Sequence, residues 1–119
     1  MSLSGHYPML IAEAERLASN LLQKGGGEFD KSLVAHVHRF VAKNPEPQKL
    51  DGFLDALPKS RLGLYTGRTR PQLEALCRET KRLALTLRRE IPQAPNLALA
   101  YVLGWTRRLV TARRSPQGR

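Results

Sequence analysis

Residues 71–91 read PQLEALCRETKRLALTLRREI and carry the clearest helical pattern in the chain. Apolar and small residues recur there at steps of three and four, which places them on one stripe of an α-helix. Pro71 suits the first turn of that helix, and Pro92 cannot continue it. The stripe predicted to be buried consists of Leu73, Leu76, Cys77, Thr80, Leu83, Ala84, Leu87 and Ile91.

The same period predicts further helices on both sides of this segment. Glycines at 25–27 and the Asn-Pro-Glu-Pro sequence at 44–47 separate them, and no stretch alternates convincingly as a strand does. Pro58 marks either a bend or a short helix to Tyr65. The other helices are predicted at 8–24, from the cap Asp30 to Lys43, at 48–57, and from the cap Asn96 to about Arg113. The fold class is therefore all-α, a single-domain bundle of five or six helices over 1–119 with a loose tail from about 114.

Length and composition limit the class of protein. A chain of 119 residues with 41% apolar residues supports one core. The single Cys77 excludes an internal disulfide and leaves too few thiolates for a structural zinc site. No apolar run approaches the roughly 20 residues of a membrane span, and the start MSLSGHYPML lacks the pattern of a secretory signal. We expect a cytoplasmic protein with no membrane partner.

Charge is distributed unevenly along the chain. Residues 1–58 carry 6 Lys and Arg against 7 Asp and Glu, whereas residues 59–119 carry 14 against 3, and the whole chain has a net charge of +10. Such an excess costs self-repulsion unless a polyanion compensates it. Most of these cations are arginines, which bind phosphate oxygens in a bidentate manner. The pattern predicts a nucleic-acid partner.

The predicted helices place many of these cations on outward faces. Helix 71–91 presents five of them opposite its leucine stripe, as a ridge about 15 Å long at ~1.5 Å per residue. The glutamates at 74, 79 and 90 are too few to neutralise it. The last helix and the loop before Pro71 add further arginines. The candidate phosphate-binding residues are Arg68, Arg70, Arg78, Lys81, Arg82, Arg88, Arg89, Arg107 and Arg108, with Arg113 and Arg114 near the tail.

The sequence gives little support for a catalytic or metal-binding site. His36 and His38 lie two apart and point in different directions on a helix. Asp51 and Asp55 could align two carboxylates, but such pairs more often lie on a solvated face. Cys77 falls on the apolar stripe, which favours a core role. We therefore predict no enzyme, no catalytic residue, no metal site and no cofactor.

Sequence-specific recognition is also weakly supported. The final helix offers arginines but few Asn, Gln or Ser on its outer face, so backbone binding with little base preference is favoured over a helix–turn–helix reader. Tyr65, beside Gly67 and Arg68, could stack on a base. For Tyr101 and Trp105, core packing is at least as good an interpretation.

Three segments resemble a known family. LPKSRLGLYTGR at 57–68 and ALAYVLGWTRRLV at 98–110 are similar to segments of the small subunits of type III CRISPR effector complexes, and 31–40 is a weaker match. The resemblance implies a non-catalytic helical subunit of a ribonucleoprotein that holds guide or target RNA, or single-stranded DNA, by its backbone. It also implies contacts with other subunits, including copies of itself. Arg61 and Arg68 take a nucleic-acid-binding role from the matching segment.

Two other interpretations remain open. A freestanding, dimeric DNA-binding regulator or a plasmid or phage accessory protein would show the same excess of arginine. A module that binds an acidic protein would use the charge without any nucleic acid. Salt dependence and base preference distinguish these alternatives.

Overall fold

A computed structural model describes residues 3–24, 29–44, 46–59 and 70–114. Over these ranges the chain forms five α-helices, two short 3-10 turns and no strand, which confirms the predicted all-α bundle. The helices are α1 (Tyr7–Lys24), α2 (Lys31–Lys43), α3 (Pro47–Ala56), α4 (Arg70–Glu90) and α5 (Pro95–Arg114), and the 3-10 turns are Ser4–His6 and Leu57–Lys59. None of the described helices is long and apolar enough to cross a lipid bilayer.

The core contains the whole stripe predicted on α4. All eight residues from Leu73 to Ile91 in that stripe are buried, Cys77 among them. Each fully buried leucine contributes roughly 1.5–3 kcal/mol relative to an exposed one. Thr80 is fully buried with the apolar members of the stripe. Helical periodicity therefore located the core of this helix correctly.

Helix α5 is the central element of the bundle. Its most extensive contacts are with α1 and α2, and it also contacts α4. It runs antiparallel to α2, because Asn96 near its start donates to the carbonyl of Asn44 at the end of α2, at 2.9 Å. Lys31 at the start of α2 lies near Ala112. This pairing creates the groove described below.

The helix ends follow local sequence with one exception. Asp30 caps α2 as predicted, accepting from the backbone N–H of Ser32 at 2.9 Å. Asn96 does not cap α5: the helix begins at Pro95, and Asn96 is 3% exposed within the first turn. Its side chain is used for the tertiary hydrogen bond to α2, which the local sequence could not reveal.

Several predicted features lie outside the described residues. Arg61, Arg68 and Tyr65 are among them, as is the tail at 115–119. Of the possible short helix after Pro58, the described part is the 3-10 turn Leu57–Lys59.

Candidate nucleic-acid interface

Two of the predicted phosphate-binding cations on α4 are ion-paired with α3. Arg88 donates from both terminal nitrogens to the carboxylate of Asp51, at 2.9 and 3.2 Å. Lys81 donates to Asp55, and this hydrogen bond raises the pKa of Lys81. Asp51 and Asp55 lie one helical turn apart on α3. Both carboxylates therefore contact α4, although each remains partly exposed to solvent. The expectation that this ridge has too few carboxylates is wrong for Lys81 and Arg88.

The other α4 cations are divided between sides of the helix. Arg82 lies in a small cleft against α1 with Glu13, Arg16 and Glu79. Arg89 is 3.5 Å from the carboxylate of its neighbour Glu90. The α4 cations thus do not form one uncompensated surface.

Arg78 and Arg70 lie at the other end of α4. Arg78 borders a cleft that also contains Asp55 and Glu74. Arg70 donates to the backbone carbonyl of Pro58, so its guanidinium ties the start of α4 to the 3-10 turn. Both side chains therefore have polar groups of this protein close by.

A groove between α2 and α5 has a different character. Its volume is about 770 Å³, and its described lining includes four formal cations and no carboxylate. The four groove cations are Lys31, Arg39, Arg107 and Arg108. All four are exposed, and none takes part in an ion pair with another described residue. The nearest carboxylate in sequence, Asp30, accepts hydrogen bonds from Ser32 as the α2 cap.

The groove cations occupy both sides of the groove. Lys31 and Arg39 are eight residues apart on α2, or about 12 Å at ~1.5 Å per residue. Arg107 and Arg108 lie opposite on α5. The hydroxyl residues Ser32 and Thr111 also line it. This arrangement can receive a chain of phosphates along its length, because no carboxylate among the described lining residues has to be displaced first.

His38 forms part of the groove floor against Gly104. A Cβ atom at Gly104 would lie 3.6 Å from Cε1 and Nε2 of His38, in ordinary van der Waals contact. Burial lowers the pKa of His38, and the charge of Arg107 lowers it further. The lowered pKa favours the neutral imidazole, so the formal positive charges of the groove are those of the four groove cations.

Arg107 and Arg108 were predicted as site residues, whereas Lys31 and Arg39 were missed. Residues 1–58 have almost no net charge, so the charge distribution did not single out these two cations. The negative charges of that part of the chain lie mostly on α1 and α3. Their spacing of eight residues on the outer face of α2 was a visible signal. The sequence did not reveal that α5 packs beside α2, and this packing is what brings the four groove cations together.

Tyr101 and Trp105 are only partly buried. Each packs on the core at one side and keeps some exposure at the other. Tyr101 stacks on Tyr7 with ring centroids 5.0 Å apart. The guanidinium of Arg108 lies 5.2 Å from the centroid of the Trp105 ring. Core packing therefore accounts for part of each side chain.

The described residues contain no group of three His, Cys, Asp or Glu that could hold a metal ion. Cys77 is buried in the core as predicted, and burial raises the pKa of its thiol to about 11. A thiol with that pKa is a poor nucleophile near neutral pH.

No family model, curated protein or solved structure matches this chain.

Proposed function

We propose that this protein binds the backbone of a nucleic acid in the α2–α5 groove and performs no chemistry on it. One observation carries the proposal: the four groove cations line two sides of one groove without a carboxylate among its described lining residues. Phosphates of a nucleic acid supply the missing negative charge and release their condensed counterions on binding.

The groove chemistry favours backbone contacts over base reading. Its neutral polar side chains in the described lining are the hydroxyls of Ser32 and Thr111, beside the imidazole of His38. Bidentate base recognition uses Asn or Gln for adenine and Arg for guanine. The groove arginines are exposed, and no Asn or Gln accompanies them in the described lining, so we expect phosphate binding with weak sequence preference.

The proposed setting is a non-catalytic small subunit of a CRISPR-type ribonucleoprotein effector complex. Support comes from the position of two segments that carry the resemblance: 31–40 belongs to α2 and 98–110 to α5, so they supply the two sides of the groove. The bound strand would be guide or target RNA, or single-stranded DNA. Other subunits and further copies of this chain would complete the complex.

A salt titration with a fluorescent 20-nucleotide RNA tests the binding proposal. Four phosphate contacts predict a slope of log Kd against log salt of about 3 for a single strand, at ~0.7 per contact. Arg39→Gln/Arg107→Gln should weaken binding about 10- to 100-fold and lower the slope by about 1.4. The matched control Arg78→Gln/Arg89→Gln removes the same charge from α4 and should change affinity less than about threefold.

Failure of the groove variant to change affinity or slope would reject the groove as the site. Binding of one duplex sequence ~10³-fold more tightly than random sequence would favour the regulator instead. Affinity purification from the native host separately tests whether the protein belongs to a ribonucleoprotein complex. Recovery of a short, uniform RNA with larger proteins supports the subunit proposal, whereas recovery of a dimer on DNA contradicts it.

A further inference from the structure

Three aromatic side chains lie on α5 and on the start of α1, where Tyr7 packs against α5. Tyr7, at the start of α1, stacks on Tyr101 with centroids 5.0 Å apart and ring planes at 26°. Trp105 follows Tyr101 by four residues on α5, about 6 Å further along the helix axis. We call Tyr7, Tyr101 and Trp105 the aromatic row.

Tyr7 is the exposed member of the aromatic row, whereas Tyr101 and Trp105 are partly buried. Phe29, a core aromatic, is 1% exposed, whereas Tyr7 is 40% exposed. Phe40 of α2 and Phe53 of α3 form a separate stack, with centroids 3.9 Å apart and ring planes at 5°. Leu97, 50% exposed, precedes Tyr101 by one helical turn. An apolar strip therefore runs along α5 toward the groove.

Arg108 joins the aromatic row to the groove. Its guanidinium lies 5.2 Å from the centroid of the Trp105 ring, and the same side chain lines the groove. A planar guanidinium over an indole can bind a phosphate while it offers a further stacking surface to a base. A strand held in the groove thus has stacking surfaces within reach of its bases.

We infer that the ligand of the groove is a single strand whose bases stack on the aromatic row while its phosphates contact the groove cations. This inference rests on the proposed function. The axial step of about 6 Å from Tyr101 to Trp105 exceeds the ~3.4 Å rise of bases in a duplex, so neighbouring bases reach both only in an extended strand. Bases in a duplex are already stacked and offer no free face to the aromatic row.

Trp105 provides a direct reporter, because it is the only tryptophan in the chain. Its fluorescence is measured during titration with a 12-nucleotide RNA, a DNA of the same sequence, the corresponding duplex and an abasic 12-mer. We expect the base-bearing single strands to quench Trp105 and to bind at least about 10-fold more tightly than the abasic strand, since stacking contributes ~1–3 kcal/mol per base. The tighter of the RNA and DNA arms identifies the preferred sugar.

Conservative variants test the same inference by affinity. Tyr101→Leu keeps apolar volume at the core and should weaken binding of the base-bearing strand about 5- to 10-fold without changing that of the abasic strand. Phe40→Leu is the matched control, an aromatic loss away from the row, and should leave both affinities unchanged.

The outcomes separate the two proposals. Equal affinity for base-bearing and abasic strands without quenching overturns the stacking inference and leaves backbone binding intact. Tighter binding of the duplex than of the single strand also overturns it. Absence of binding by every strand, abasic included, overturns the proposed function and this inference with it.

Discussion

The α4 face and the α2–α5 groove are both rich in Lys and Arg but differ in what lies opposite. On α4, Arg88 and Lys81 meet Asp51 and Asp55 of α3. In the groove, the four cations meet no carboxylate among the described lining residues. A phosphate must compete with an internal carboxylate at α4, whereas it meets exposed cations in the groove. The availability of a cation thus depends on packing more than on local charge density.

Charge reversal should produce the largest contrast between the two regions. Arg107→Glu adds a carboxylate beside the other groove cations, which would then be neutralised as α4 already is. We expect RNA affinity to fall about 100-fold or more at low salt. Arg89→Glu makes the same change on α4 and should weaken binding less than about fivefold. Equal losses in filter-binding assays would contradict the distinction between the regions.

Neutralising the α3 carboxylates should make α4 resemble the groove. Asp51→Asn/Asp55→Asn removes the α3 carboxylates that pair with Arg88 and Lys81, which makes this face of α4 more positive and removes two competitors of phosphate. RNA affinity should rise about two- to fivefold, and the salt slope should steepen by up to ~1.4.

A matched control keeps the overall charge change constant. Glu13→Gln/Glu46→Gln also adds two units of positive charge, but the ion pairs that it removes among the described residues are those with Arg16 and Lys49. It should raise affinity less than the α3 variant does. If both variants behave alike, net charge rather than release of the α4 cations explains the gain.

Two helical glycines allow a test of the groove floor. Gly104→Ala places a methyl group in ordinary contact with His38, and Gly52→Ala places one in open space on α3. Alanine is favoured over glycine in a helix interior, so each should raise the free energy of unfolding by roughly 0.5–1 kcal/mol. Urea denaturation measures both. Destabilisation by Gly104→Ala alone would show that the added methyl group clashes with His38.

The smallest expected effect is the pH dependence from His38. Burial and Arg107 lower its pKa in the folded protein, so the unfolded chain binds more protons below the ordinary value of 6.5. Stability present above that pH is therefore lost as the pH falls. The native protein should lose more unfolding free energy between pH 7 and 5 than His38→Gln does, in paired urea titrations. An equal loss would mean that His38 titrates normally.

How far the sequence predicts this molecule depends on the range of the interaction. The α4 stripe was fully predicted because it needs only helical periodicity and two flanking prolines. The pairing of Asp51 with Arg88 joins residues 37 positions apart, and no local pattern specifies it. Arg39 was missed as a site residue for a similar reason: its spacing from Lys31 was visible, but its role depends on α5 lying beside α2. Asn96 is an example in the other direction. Its residue type predicts a helix cap, but its side chain makes a tertiary hydrogen bond instead.

Mapping the bound strand by NMR tests the central claim most directly, since 119 residues suit residue-by-residue assignment. A ¹⁵N-labelled sample would be titrated with a 12-nucleotide RNA at low salt. We expect the largest amide shifts along Lys31–Arg39 and Gly104–Ala112, with small shifts across the carboxylate-paired part of α4. Shifts concentrated on α4, with α2 and α5 unchanged, would contradict it.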